Sequence, residues 1–142
     1  MSKTIAILTS GGDSPGMNAA IRAATMVAVA KGHRVLGVRH GYRGLLDGKI
    51  APLGADDVNG ILREGGTILH SARSRRFHER ASRDQARKVL TQHGVDGLIV
   101  IGGNGSLTGL TLLSNQDEAG DWFISSVEWP HRGVSIARLL WE

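Results

Sequence analysis

The chain has 142 residues, 41% hydrophobic and 21% charged, with a formal net charge of +4, enough for one globular domain with a real core but not for two. It has no cysteine, which excludes disulfides and thiolate metal sites. No apolar run approaches the roughly 20 residues of a membrane helix, and aromatic residues are only 4%, so neither a membrane nor a nucleic acid is an expected partner; the positive balance suits a small anionic ligand. MSKTIAILTSGG is too short in apolar residues for a secretory signal, and a cytoplasmic location is the expectation.

TIAILT at 4–9 reads as a short buried strand, followed by the cluster SGGDSPG and then a helix over 17–31. Ala20, Ile21, Ala24, Val27 and Ala28 fall at the spacing of one helical face, Gly32 stops the helix, and RVLGVR at 34–39 is the next strand. This strand–helix–strand unit implies a right-handed parallel crossover. From His40 to Gly54 the chain is turn-rich, read as a loop with short extended pieces. A weak helix is expected at 55–64 and a Gly-led loop at 65–74. Ser82 and Gln85 have capping-box spacing for a helix to about His93, and GLIVIGG at 97–103 is the strongest strand signal, again followed by a glycine loop and a helix. The fold class expected is α/β: a three-layer sandwich with a mainly parallel sheet. The final stretch, with all three tryptophans (Trp122, Trp129, Trp141), has no strand–helix alternation, and 115–142 is expected to be an irregular tail behind a domain at 1–114.

Two glycine loops, at 10–16 and 102–106, each leave a strand and enter a helix. Backbone N–H groups at such a point, carrying about half a positive charge, attract phosphate. Either loop alone could equally be a tight turn; two in one small domain favour a phosphate site. In SARSRRF at 71–77 arginine supplies the planar, multi-donor group that phosphate suits. Arg75, Arg76 and Arg80 read as solvated surface, and so do His33, His78 and His93. Ser10 and Ser14 sit in a phosphate-type turn, where hydrogen bonding is their expected role.

LTSGGDSPGMNAAIR at 8–22, HGYRGL at 40–45, REGGTILHSAR at 63–73 and DGLIVIGGNGS at 96–106 together resemble, in order and spacing, the N-terminal part of a bacterial-type ATP-dependent 6-phosphofructokinase, over residues 3 to about 114. The resemblance implies transfer of the ATP γ-phosphoryl group to fructose 6-phosphate in glycolysis, with Mg²⁺, by a homo-oligomeric family. It implies ATP contacts at Gly12, Arg73, Ser74, Gly103, Asn104, Gly105 and Ser106.

Asn104 stands where that family has the aspartate that engages magnesium, offering a neutral oxygen in place of a carboxylate. Gly105 stands where pyrophosphate-using relatives carry an acid, which keeps ATP as the donor. Arg22 matches one basic residue of the family's effector site, while Met26, Ala55 and Gly60 do not match its partners. Beyond about residue 115 the family's general-base motif, Thr-Ile-Asp-Asn-Asp, has no counterpart, ISSVEWPHRG standing near its place; the catalytic base is unassigned. The alternatives are a truncated, non-catalytic nucleotide-binding fragment, or a related pyrophosphate-dependent, lipid or dinucleotide kinase.

Overall fold

The computed structural model describes residues 2–12, 15–113, 122–127 and 135–141, with the backbone alone described at 104, 107 and the last two segments. Its strands are β1 (Thr4–Thr9), β2 (Arg34–Val38), β3 (Ile50–Pro52), β4 (Gly97–Gly102), β5 (Trp122–Val127) and β6 (Ser135–Trp141). They form one sheet in the order β3-β2-β1-β4-β6-β5. β1 is central and parallel to both β2 and β4, in register Ile5↔Val35 and Ile5↔Gly97; β3, β6 and β5 add to the edges antiparallel.

Side chains alternate across a strand, so β1 sends Ala6 and Leu8 to one face and Ile5 and Ile7 to the other. On the first face Leu36, Val38, Leu98 and Val100 meet α2 (Gly41–Leu46), α4 (Arg80–Gln92) and α5 (Asn104–Leu113) through Tyr42, Leu45, Leu90, Leu110 and Leu113. On the second face Val35 and Ile101 meet α1 (Met17–Ala30) through Met17, Ile21 and Ala28, and α3 (Ala55–Val58) through Val58. Three layers result, as expected from the sequence. Burying both faces explains why TIAILT and GLIVIG read as nearly continuous apolar runs.

The chain leaves β1 for α1 on one face and leaves β4 for α5 on the other. The two neighbouring parallel strands therefore part company at their carboxyl ends, which is where open α/β sheets bind ligands.

Several sequence expectations need correcting. Gly41–Leu46 is a helix inside the stretch read as a loop, and the weak helix at 55–64 is α3 followed by a 3₁₀ turn at Ile61–Arg63. On α1 the buried face runs through Met17, Ile21, Thr25 and Ala28, whereas Val27 is 56% exposed. α4 begins at Arg80 rather than at Ser82: Arg83 N–H already donates to Glu79 O at 3.2 Å, so Ser82 is inside the helix and caps nothing. Residues 122–127 and 135–141, read as irregular, are strands. Backbone demand supplies the reason, since β4 would otherwise present a row of unpaired N–H and C=O groups, and β6 pairs with it from Gly97↔Leu140 to Gly102↔Ser135.

Candidate functional site: a crevice between two glycine loops

The register of β1 and β4 continues one residue past the strands, where Ser10 N–H donates to Ile101 O at 3.0 Å. This bond holds the two glycine loops side by side. Gly11 takes φ +86°, a left-handed value that a side-chain-bearing residue rarely adopts, and turns the chain away beside Ser106 and the Gly103 amide. Gly102 is buried where a Cβ would run into Ser106 and the Ser10 carbonyl. Gly12 and Gly105 are different: a Cβ on either would meet no atom within 4 Å. Their bareness serves open space, and that space is a cavity of about 460 Å³.

Three polar walls and one apolar wall enclose it. Ser10, Gly11 and Gly12 form the first, and Gly103, Gly105 and Ser106 at the start of α5 form the second. The third is the segment Ala72 to Arg75. The fourth is made by Tyr42, Phe77, Gly109 and Leu112. Tyr42 is fixed on three sides: its hydroxyl donates to Ser106 O at 2.6 Å, its ring stacks on Phe77 with centroids 4.2 Å apart, and a Cβ on Gly109 would stand 2.9 Å from that ring. Burial pushes the Tyr42 phenol far above its ordinary pKa, so it stays a neutral donor. A cavity lined by glycine loops, hydroxyls and arginine together with an aromatic, glycine-floored wall fits an anion joined to a flat apolar ring.

Arg73 is exposed, lines the cavity and has no hydrogen bond or ion pair among the described residues, so its guanidinium is available to a ligand. Ser74 and Ser106 also line it, and the hydroxyl oxygen of each is buried with no partner among the described residues. Buried polar groups normally find partners, so an unpaired hydroxyl on each of two cavity walls points to an occupant.

Of the residues singled out in the sequence, Gly12, Arg73, Ser74, Gly103, Gly105 and Ser106 are therefore brought together. Asn104 is the first residue of α5; its side chain lies outside the described residues, as do Asp13 and Ser14 entirely. Arg22, on α1, is half-buried and does not line the cavity.

Arg75, Arg76 and His78 are all exposed, as expected from the sequence. Arg75 and His78 also line the cavity, while Arg76 is paired with Asp47 at 3.2 Å. Tyr42, Phe77 and Gly109 were missed, because the apolar wall is assembled from three separate elements. Only their inclusion in motifs such as HGYRGL hinted at it.

No carboxylate appears among the described cavity-lining residues, and no group of three or more His, Asp or Glu there could hold a metal.

Fold and site define a doubly wound α/β domain with a glycine-lined crevice at its switch point. Comparison with known proteins makes this specific. A family model described as phosphofructokinase matches residues 4–135, and the chain belongs to that family. It is 52% identical over 114 residues to an ATP-dependent 6-phosphofructokinase of Thermotoga neapolitana, and 50% identical over 112 residues to one of Clostridium botulinum. These matches cover 80% and 79% of this chain but 36% and 35% of the relatives, so the chain spans about a third of their length. A solved phosphofructokinase from Saccharomyces cerevisiae superposes with a TM-score of 0.77 at 47% identity, covering 80% of this chain and 16% of that one. A pyrophosphate-dependent phosphofructokinase from Marinobacter aquaeolei, 20% identical with a TM-score of 0.72 over 83% of this chain and 31% of that one, shares the fold.

Proposed function

We propose that the chain is the ATP-binding part of a 6-phosphofructokinase, the γ-phosphoryl group passing to fructose 6-phosphate in cytoplasmic glycolysis. The cavity carries this reading: two glycine loops and Arg73 suit the phosphates, and Tyr42, Phe77 and Gly109 suit a base. The names of the bacterial relatives, at 50% identity and above, supply the donor and acceptor. Phosphoryl transfer relies mainly on positioning and charge stabilisation, which this equipment offers.

Arg73→Ala tests the reading. Removing a hydrogen bond to a charged group costs about 1.5–3 kcal/mol, so titration calorimetry with ATP should give about a 10- to 150-fold loss of affinity. Unchanged affinity would remove the phosphate role.

Magnesium belongs to this proposal as an ion that arrives on the nucleotide phosphates rather than as a resident of the protein. Asn104→Asp would place a carboxylate at the start of α5, where hard cations bind oxygen. ATP affinity in the variant should then rise more steeply with added Mg²⁺ than in the parent, and ATP should remain preferred over pyrophosphate. Superimposable magnesium titrations would exclude position 104 from the metal's surroundings.

A second reading is nucleotide binding without turnover, favoured by the lack of a Thr-Ile-Asp-Asn-Asp match in the sequence. A coupled assay with fructose 6-phosphate, run beside the ATP titration, separates the two.

A further inference from the structure

The segment carrying Arg73 has no regular secondary structure from Glu64 to Ser74, yet it is tied at several points to the elements beneath it. Asn18, fully buried in the first turn of α1, accepts from Ile68 N–H at 2.8 Å and donates to Glu64 O at 3.1 Å. Nearer to Arg73 the ties run to the first glycine loop and the strand before it. Thr9 Oγ1 lies 3.1 Å from His70 O and 2.8 Å from Thr67 Oγ1, and Leu69 N–H donates to Thr67 Oγ1 at 3.1 Å. A carbonyl only accepts and an amide N–H only donates. The single hydroxyl proton of Thr9 is therefore committed to His70 O, and Thr67 must donate to Thr9. The direction is fixed throughout: Leu69 N–H to Thr67, Thr67 to Thr9, Thr9 to the His70 carbonyl. Both threonines are buried, where such a chain is strengthened by low polarity and a missing member leaves an unpaired group. One residue further on, Ser71 Oγ donates to Gly11 O at 2.7 Å.

We infer that Thr9, Thr67 and Ser71 form a latch that sets the separation between the Gly11–Gly12 loop and Arg73, and that they act as positioning residues for nucleotide affinity. The two residues held, His70 and Ser71, stand immediately before the Ala72–Arg73 wall, and Arg73 itself has no partner of its own among the described residues. The backbone beneath it must therefore supply its placement. This inference rests on the ATP reading above, with Arg73 as a phosphate contact.

A double-mutant cycle on the full chain, read by ATP titration calorimetry and thermal melting, tests it. Ser71→Ala removes the tie to Gly11 and is expected to weaken ATP about five-fold with little change in melting temperature. In an Arg73→Ala background the same change should matter less than about two-fold, because the group being positioned is gone. Thr67→Val is expected to weaken ATP by about five-fold or more, and Thr67→Ser, which keeps the hydroxyl, should restore affinity to within about two-fold of the parent. Equal losses from Ser71→Ala in both backgrounds, or none in the parent while Arg73→Ala does weaken ATP, would overturn the latch and leave the ATP reading standing. If Arg73→Ala itself leaves ATP affinity unchanged, the underlying reading falls and the latch with it.

Discussion

Gly12→Val is expected to fold like the parent chain and to lose ATP binding. The first half follows from the surroundings: a Cβ at Gly12 meets no atom within 4 Å, and its φ is not in the left-handed region, so a branched side chain strains neither backbone nor core. The second half follows from what that space is for. Valine would stand where a phosphate must approach the loop N–H groups. Losing two charge-assisted contacts at about 1.5 kcal/mol each removes about 3 kcal/mol, or about two orders of magnitude in affinity. Gly12→Ala, with one carbon instead of three, should lie between. Calorimetry gives the affinity and a thermal melt checks the fold. Tight ATP binding by the valine variant would mean that the anion does not approach this loop. A collapsed melting temperature would mean that the space around Gly12 is not open.

The parts of this molecule that were legible in the sequence are those whose cause is local. β1 and β4 are short apolar runs that each end at a glycine loop, and α1 carries a helical period over about four turns; each signal lies within one continuous segment. Each glycine loop and SARSR are contiguous, so their residue types could be matched to phosphate directly. What escaped was set by packing. GYRGLL has two glycines in six residues and no room for a period, and it is helical because Tyr42, Leu45 and Leu46 fill the space above the sheet. Arg75 and Arg76 look equivalent in sequence. The 3₁₀ turn Arg75–His78 separates them, placing one at the cavity and the other against Asp47. Thr9 and Thr67 are 58 positions apart, and nothing in either local sequence announces their hydrogen bond. The same holds for the pairing of β4 with β6, which answers the needs of a strand edge rather than a pattern in residues 135–141.

Gly102→Ala is expected to be the most destabilising single change at the site, and to show that the crevice's spacing is set by the core beneath it. An added methyl would overlap Ser106 Oγ and stand 2.6 Å from Ser10 O and 2.7 Å from Ser106 Cβ. Two of these atoms belong to backbone or to the root of a side chain, so rotamer changes cannot relieve them. Either the end of β1 or the start of α5 must move. Overpacking of this kind costs about 1–3 kcal/mol in a core that can adjust, and the upper end applies where the obstacle is a carbonyl. At about 3 °C per kcal/mol for a chain of this length, the melting temperature should fall by close to 10 °C. Ser106→Gly removes two of the three obstacles at a helix-propensity cost of about 1 kcal/mol. The double variant should therefore be more stable than the two single changes predict, with a coupling of about 1 kcal/mol or more. Displacement of Ser10 from Ser106 also widens the gap between the glycine loops, so ATP affinity should drop even at temperatures where the variant is fully folded. Stability within about 0.5 kcal/mol of the parent would show that β1 and α5 yield without cost, and that Gly102 does not set the distance between the loops.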